Sequence, residues 1–386
     1  MTNHSAAAAV SCPCYPRCGG CQTLHLPYEE QLRQKQAQIA ALMRPYGPVM
    51  PILPADVPWH YRHKVQVSFR KGPKGAVLCG NYETGSHRLV PFEQCLLDHE
   101  RADRILLSIR HLAEQFRIPP FDERTGRGIL RHALIRCGYA TGEILVVLVT
   151  GTSVFPGSKN FVHALRQLHP EITSVVQNIN GKFTSMVLGG QEKILFGPGF
   201  IEDRLCGFSF RLSPRSFYQV NPAQTEKLYR TAVSFAGLTG DETVVDAYCG
   251  TGTIGLIAAP RAGQVWGVEL NRSAVQDACG NARRNQIRNI RFLCEDSGRQ
   301  MERWAAEGRQ VDVVFTDPPR SGCSPQFLHA LSALSPERIV YISCCPETLA
   351  RDLKQLCGAY RAEAIQPVDL FPHTLHMEVC VKLVRR

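Results

Sequence analysis

Apolar positions in this chain follow two rhythms, and the change falls past its middle. From Val244 onward, short apolar runs recur about every twenty to thirty residues: Val244-Val245, Val265 to Val268, Ile290 to Leu293, Val311 to Phe315 and Ile339 to Ile342. Such runs, bounded by turn residues, predict buried strands of an open α/β sheet whose carboxyl edge carries ligands and reacting groups. A helix is predicted just before them, from about Ala223 to Ala236. Upstream, Val77 to Phe210 reads as several short strands, including Glu143 to Thr150 and Ser174 to Asn178. Helical stretches near Asp103 to Phe116 and Asn160 to Leu168 interrupt them, the pattern of an α+β accessory domain ending around residue 211. Pro27 to Tyr46 sets Tyr28, Leu32, Ile39 and Leu42 among Glu, Gln, Arg and Lys, one amphipathic helix expected to pack on another domain.

Two accessory stretches mix basic residues into strands. Val57 to Arg70 leads Trp59, His60, Tyr61, Arg62, His63 and Lys64 into an alternating strand, suited to phosphate contacts and base stacking or to an ordinary solvated face. Gly128 to Arg136 places Arg131 and Arg136 on opposite faces of a strand, where surface arginines are the plain expectation and nucleic-acid contact the functional one. Lys and Arg exceed Asp and Glu by 44 − 34 = 10, which suggests an anionic partner such as RNA or DNA. No run of about 18 apolar residues occurs, and Met1 to Val10 lacks the basic flank of a signal peptide, so a cytoplasmic protein without a membrane partner is expected.

Sixteen cysteines in a reducing compartment argue against a disulfide framework, and four of them, Cys12, Cys14, Cys18 and Cys21, crowd into ten residues. Cys12, Cys18 and Cys21 form a C-x5-C-x2-C spacing, with Cys95 the leading fourth thiol and Cys79 and Cys137 its rivals. Three local thiolates with one remote suit an iron-sulfur cluster; a structural zinc site, or no metal, are the other readings.

Asp246-Ala247-Tyr248-Cys249-Gly250-Thr251-Gly252-Thr253-Ile254-Gly255 is a strand end, a glycine-rich turn and a helix start. Its G-x-G-x-x-G spacing fits a dinucleotide as well as S-adenosylmethionine. The next strands also end in acids: Glu269, suited to gripping ribose hydroxyls, then Glu295-Asp296, suited to the adenine amino group, then Asp317. That succession favours S-adenosylmethionine. Arg320 follows Asp317-Pro318-Pro319, where enzymes that methylate exocyclic amines place an aromatic residue. Cys323 lies too late in this loop to match the DNA cytosine-C5 enzymes, which leaves the thiols of Ser343-Cys344-Cys345-Pro346.

Taken with Phe217-Tyr218-Gln219-Val220-Asn221, Thr348-Leu349-Ala350-Arg351-Asp352 and Phe371-Pro372-His373-Thr374-Leu375-His376-Met377-Glu378, these motifs resemble the RNA uracil-C5 (5-methyluridine) methyltransferase family from Cys12 to Glu378. The cysteine cluster resembles the [4Fe-4S] site of the bacterial 23S rRNA branch, without the amino-terminal oligonucleotide-binding barrel of some members. The resemblance implies a class I S-adenosylmethionine-dependent methyltransferase, α/β with a Rossmann-like sheet, an α+β accessory domain and an iron-sulfur loop. Its expected parts are the loop at 1–26, the helix at 27–56, an RNA-binding domain at 57–210 and the catalytic domain at 211–386. It further implies Cys344 as nucleophile, Glu378 as base, and Gln219, Tyr248, Thr253, Glu269, Asp296 and Asp317 around the cofactor. Cys12, Cys18, Cys21 and Cys95 become the cluster ligands, with Cys14 spare. The family usually has Asn after the catalytic cysteine; here Cys345 stands there. The implied reaction makes 5-methyluridine in 23S rRNA, with no obligate protein partner evident. The alternatives are the same reaction on tRNA, or a non-catalytic iron-sulfur RNA-binding protein.

Overall fold

A computed structural model describes residues 12–386; the Met1 to Val10 stretch lies outside the described residues. Helix α1 (Tyr28–Met43) is followed by β1 (Lys64–Lys71), β2 (Val77–Tyr82), β3 (Leu89–Pro91), α2 (Glu100–Gln115), β4 (Leu130–Cys137), β5 (Ile144–Thr150), α3 (Ser158–Leu168), β6 (Ile172–Ile179) and β7 (Gln191–Phe196). The seven strands form one sheet, ordered β3-β2-β1-β4-β5-β6-β7. The odd-numbered face of β1, Val65, Val67 and Phe69, packs with α2 and α3 residues such as Ile105, Ile109 and Phe161. On the opposite face, Leu134, Leu145, Val147 and Val176 pack against the second half of the molecule, in a core shared with Ile201, Phe210 and Tyr218. β4 and β5 are buried along their whole length; β5 accordingly reads as a continuous apolar run, whereas β4 buries Arg131, His132 and Arg136.

The hairpin β8 (Ile201–Leu205) and β9 (Phe208–Leu212) precedes α4 (Pro222–Ala236). Then come β10 (Thr243–Ala247), α5 (Thr253–Ala258), β11 (Gln264–Glu269), α6 (Arg272–Arg284), β12 (Ile290–Cys294), α7 (Ser297–Ala306), β13 (Val313–Thr316), α8 (Pro325–Leu334), β14 (Arg338–Ser343), α9 (Pro346–Leu356), β15 (Tyr360–Val368) and β16 (Glu378–Arg385). These strands form a second sheet in the order β12-β11-β10-β13-β14-β16-β15, parallel except for β16, which runs antiparallel between β14 and β15. The helices start where the sequence supplies caps. Asn221 accepts from Gln224 N ahead of Pro222 on α4, Asn271 caps α6, Asp296 caps α7 and Ser324 caps α8. The hairpin joins this half through Asn281 of α6 and Asn285 at its C-cap, whose amide oxygens accept from Arg211 N and Ser209 N.

Helix α1 packs on the second sheet, burying Ile39 and Met43 among Val379, Val381 and Tyr360. The same stripe carries two buried polar side chains, Gln31 and Lys35. Lys35 Nζ donates to Asp369 Oδ1 at 2.7 Å and to Phe371 O at 3.1 Å, and Tyr28 donates to Asp369 Oδ2 at 2.8 Å. Asp369 is fully buried, so these donors offset the cost of taking its charge out of water.

Candidate active site

In a sheet of this order the succession of strands switches sides between the parallel neighbours β10 and β13, and ligands bind in the crevice beyond those strand ends. Here that crevice is a cleft of about 410 Å³ lined by Phe217, Gln219, Tyr229, Tyr248, Thr253 and Asp317. The turn after β10 is held by Asp246, whose Oδ2 accepts from Gly255 N at 2.7 Å. Gly252 is left-handed (φ 80°), and a Cβ there would come within 2.8 Å of the Phe292 ring, so the turn admits only glycine. Glu269, at the end of β11, accepts from Gly250 N at 3.1 Å and Asn271 N at 2.7 Å. It lines an adjoining cavity of about 1140 Å³, which shares Phe217 and Gly250 with the cleft. Asp296 accepts from Arg299 N at 3.0 Å as the α7 cap, and its charge is felt at Tyr248. The structure thus brings Gln219, Tyr248, Thr253 and Asp317 to one cleft, with Glu269 and Asp296 on its flank.

Burial pushes the Asp246 carboxyl up to about 7, against the pull of the Gly255 N–H; its Oδ1 has no hydrogen-bond partner among the described residues. A raised carboxyl contributes stability that is complete below its unfolded value near 4 and lost as pH rises through about 7. Asp246→Asn keeps an acceptor for Gly255 and cannot ionise. It is therefore expected to raise the melting temperature at pH 8, by the equivalent of about 2–4 kcal/mol, and to give no gain at pH 4. Thermal melts at the two pH values check this.

Three strand ends meet beside the cleft. Thr316 of β13 pairs with Tyr341 of β14, and Ser343 of β14 pairs with Val379 of β16. Asp317, Cys344 and Glu378 are the residues next to those pairs. Burial, then the Glu378 and Asp317 carboxyls, push the Cys344 thiol up to about 11, against the pull of Arg320. Glu378 is buried with Oε2 unpartnered among the described residues. Burial and then Asp317 hold its carboxyl well above the usual range, with Arg320 opposing. Asp317, packed in by protein yet partly open to the cleft, is pushed by burial up to about 7. Burial and mutual repulsion thus oppose ionisation of the thiol and of both carboxyls.

The neighbouring thiols are occupied elsewhere. Cys345 stands at the N-cap of α9 with Sγ 3.4 Å from Glu347 Oε2. Cys323 is buried, its N–H on Asp352 Oδ2 at 2.8 Å and its Sγ 3.6 Å from Thr316 Oγ1.

The loop leading to Glu378 is tied to the first fifty described residues, a connection that sequence reading missed. His373 is left-handed (φ 64°) and buried. Its carbonyl accepts from Gln22 N at 3.0 Å and Thr23 N at 3.1 Å, its N–H donates to Gln31 Oε1 at 2.9 Å, and its ring stacks on Trp59 at 3.9 Å. Tyr61 donates to Pro372 O at 2.9 Å. Polar Gln31 and Lys35 sit at four-residue spacing with Ile39 and Met43. That break in an apolar stripe was the available signal.

In the cysteine loop, Cys12, Cys18 and Cys21 lie within electrostatic reach of one another, since Cys18 and Cys12 both raise Cys21 beyond the larger effect of burial. Arg62 bridges toward Cys95: it donates to Gly20 O at 2.5 Å and lies 3.8 Å from Asp98, and it favours the thiolates of both Cys21 and Cys95. The N–H groups of Leu97 and Asp98 also favour the Cys95 thiolate, although burial outweighs them. Cys14 faces Pro91 O at 3.5 Å, while Cys79 and Cys137 belong to the accessory core. Among the described residues no three His, Cys, Asp or Glu side chains converge as metal ligands. Arg62 thus lies within reach of Cys21 and Cys95, and Cys12 and Cys18 lie within reach of Cys21.

Fold and cleft define a class I S-adenosylmethionine-dependent methyltransferase. Residues 27–386 match the family model described as tRNA (uracil-5-)-methyltransferase, and the chain belongs to that family. It is 42% identical over 373 residues to an uncharacterized RNA methyltransferase of Halalkalibacterium halodurans, covering 95% of this chain and 81% of that one. It is 41% identical over 383 residues to one of Bacillus cereus, covering 98% and 83%. Among solved structures it resembles the Pyrococcus abyssi tRNA (uracil-54, C5)-methyltransferase in complex with S-adenosyl-L-homocysteine, with TM-score 0.79, 26% identity, and 96% and 86% of the two chains covered. The protein is an RNA methyltransferase that uses S-adenosylmethionine. No described helix is long and apolar enough to cross a membrane.

Proposed function

We propose that this enzyme methylates uracil C5 in 23S rRNA through a covalent adduct between Cys344 Sγ and C6 of the base. The observation that carries the reading is the meeting of Cys344, Glu378 and Asp317 at adjacent strand ends beside the cofactor cleft. Cys344 gives up its proton to the Asp317 carboxylate and its Sγ adds to C6; the C5–C6 double-bond electrons move toward the C4 carbonyl oxygen, which turns C5 into a carbon nucleophile. S-adenosylmethionine, bound among Gln219, Tyr248, Thr253, Glu269, Asp296 and Asp317, supplies an electrophilic methyl group. Glu378 removes the C5 proton, and C6 then expels Cys344 as thiolate. The burial that raises the Glu378 carboxyl also makes its ionised form a stronger base. Phe217, exposed at the rim of both cavities, is placed to stack on a base drawn from its helix or loop. Residues 57–210 hold the surrounding RNA in this reading, and the reaction takes place in the cytoplasm.

The substrate assignment rests on the cysteine loop. We assign Cys12, Cys18, Cys21 and Cys95 as ligands of a [4Fe-4S] cluster, with Cys14 spare. Anaerobically purified protein is expected to be brown and to contain about four irons and four sulfides per chain; stoichiometric zinc without iron sinks the assignment. Mapping 5-methyluridine in RNA from a strain lacking the protein tests the substrate. One or more 23S rRNA sites should lose the methyl group, whereas loss confined to tRNA would move the reaction to that RNA.

A further inference from the structure

Half of the accessory sheet's inner face is covered and half is open. Leu134, Leu145, Val147 and Val176 are sealed against the catalytic half, but the even-numbered face of β1 and the adjoining part of β2 floor a cavity of about 1200 Å³. This cavity and the one beside Glu269 share Gln66 and Val187, and that second cavity shares Phe217 and Gly250 with the cofactor cleft. One trough therefore runs from the cleft across the accessory sheet. Its axis is β1: Lys64 lines the cleft end, Gln66 lies between, and Ser68 lies at the far end, about 13 Å along the strand.

The far end is built from groups that recognise a flat, polar ring. His132 Nδ1 is 3.0 Å from Ser68 Oγ, and burial followed by the nearby Arg131 lowers its pKa to about 4, so the imidazole is neutral. Arg70 and Arg131 both bind Glu123, each at 2.9 Å, so the one carboxylate among the lining residues is paired. Buried Arg131 also donates to Asn180 O, Lys182 O and Thr184 O, and Asn180 donates to Met186 O and Val187 O. Those bonds fix the 180–187 loop around the guanidinium and project Phe183 over the cavity, 91% exposed. An aromatic ring held out by a preformed loop, touching almost nothing of its own protein, suits stacking on an incoming base. At the cleft end, Lys64 has no ion-pair partner among the described residues, and burial followed by neighbouring Arg136 lowers its ammonium to about 8. An anion placed there would relieve both cations.

We propose that the cavity over the accessory sheet, with Gln66, Tyr82, His132 and Phe183, binds a second unpaired nucleobase of the RNA substrate, Lys64 taking a phosphate between it and the target uridine. The proposal rests on the RNA reading above and adds a specificity site to it. A base stacked on Phe183 fixes the distance and direction in which the target strand leaves the cleft. The enzyme thereby selects a uridine that has an unpaired neighbour at the right spacing.

The test begins with 5-fluorouridine-substituted transcripts of 23S rRNA and of tRNA, to find which forms a covalent adduct with the wild-type enzyme. With that RNA, Phe183→Ala is expected to raise KM about tenfold with kcat within about twofold. Gln66→Ala should give a smaller rise in the same direction, with S-adenosylmethionine affinity unchanged in both. Both side chains are exposed, so neither change threatens the fold. A 4-thiouridine version of the transcript, irradiated on the enzyme, should crosslink to the 180–187 peptide in wild type and lose that crosslink in Phe183→Ala. Unchanged KM in both variants, or crosslinks confined to other peptides, overturns the nucleobase site and leaves the uracil chemistry standing. Absence of any wild-type adduct brings down the underlying reading itself.

Discussion

A protein carrying Cys344→Ala is expected to lose methyl transfer by about 10⁴-fold or more and to form no adduct with 5-fluorouridine RNA, whereas Cys345→Ala retains both. The two thiols are adjacent in sequence and sit in different surroundings. Cys344 lies among Glu378, Asp317 and Arg320, the groups that can take its proton and balance its charge. Cys345 stands at the start of α9 with its Sγ on Glu347 Oε2. Fluorine at C5 cannot leave as a proton, so the methylated adduct persists and survives denaturing electrophoresis. An adduct that persists in Cys344→Ala and vanishes in Cys345→Ala would reverse the assignment.

Glu378→Gln is expected to separate the two halves of the reaction. The amide keeps the size of the side chain and removes its basicity, so addition and methyl transfer proceed while loss of the C5 proton slows by about 10²–10⁴-fold. Ordinary RNA, without fluorine, should then accumulate as a covalent complex, visible as a burst of one methyl group per enzyme followed by slow turnover. In wild type, kcat should rise with pH through about 7. Asp317 is the carboxyl pushed up to about 7, and its ionised form can accept the Cys344 proton. A Glu378→Gln protein that turns over at the wild-type rate without accumulating adduct removes Glu378 from the role of base.

Much of the catalytic half could be read from sequence because its strands are apolar runs with acids at their ends. Asp246, Glu269, Asp296 and Asp317 all lie on one edge of the second sheet, as the class I pattern implies. The sequence could not show what crosses between halves. Arg131 and Arg136, read as surface or nucleic-acid arginines, are both buried. Arg131 organises the 180–187 loop, and Arg136 holds the carbonyls of Pro214 and Ser216 just ahead of Phe217. A strand pattern assigns faces but does not say which face another domain will cover. The cysteine loop posed the same problem. It is more than 350 residues from Glu378 along the chain, since 378 − 21 = 357, yet Gln22 and Thr23, directly after Cys21, bind the carbonyl of His373. Backbone donors carry no side-chain signature, so no motif could announce that contact.

The docking of α1 also sets a timetable for synthesis. Lys35 and its partner Asp369 are 334 residues apart, and at about 5–20 residues per second a ribosome needs roughly 17 to 67 seconds to cover that distance. During that interval the apolar stripe of α1 has no strand to lie on and Lys35 no counterion, while the accessory sheet between them can already close. The nascent chain therefore carries an exposed, sticky amino-terminal helix until its last strands emerge. A holdase that shields the helix should raise the yield of active enzyme, and slower translation of the final third should lower it.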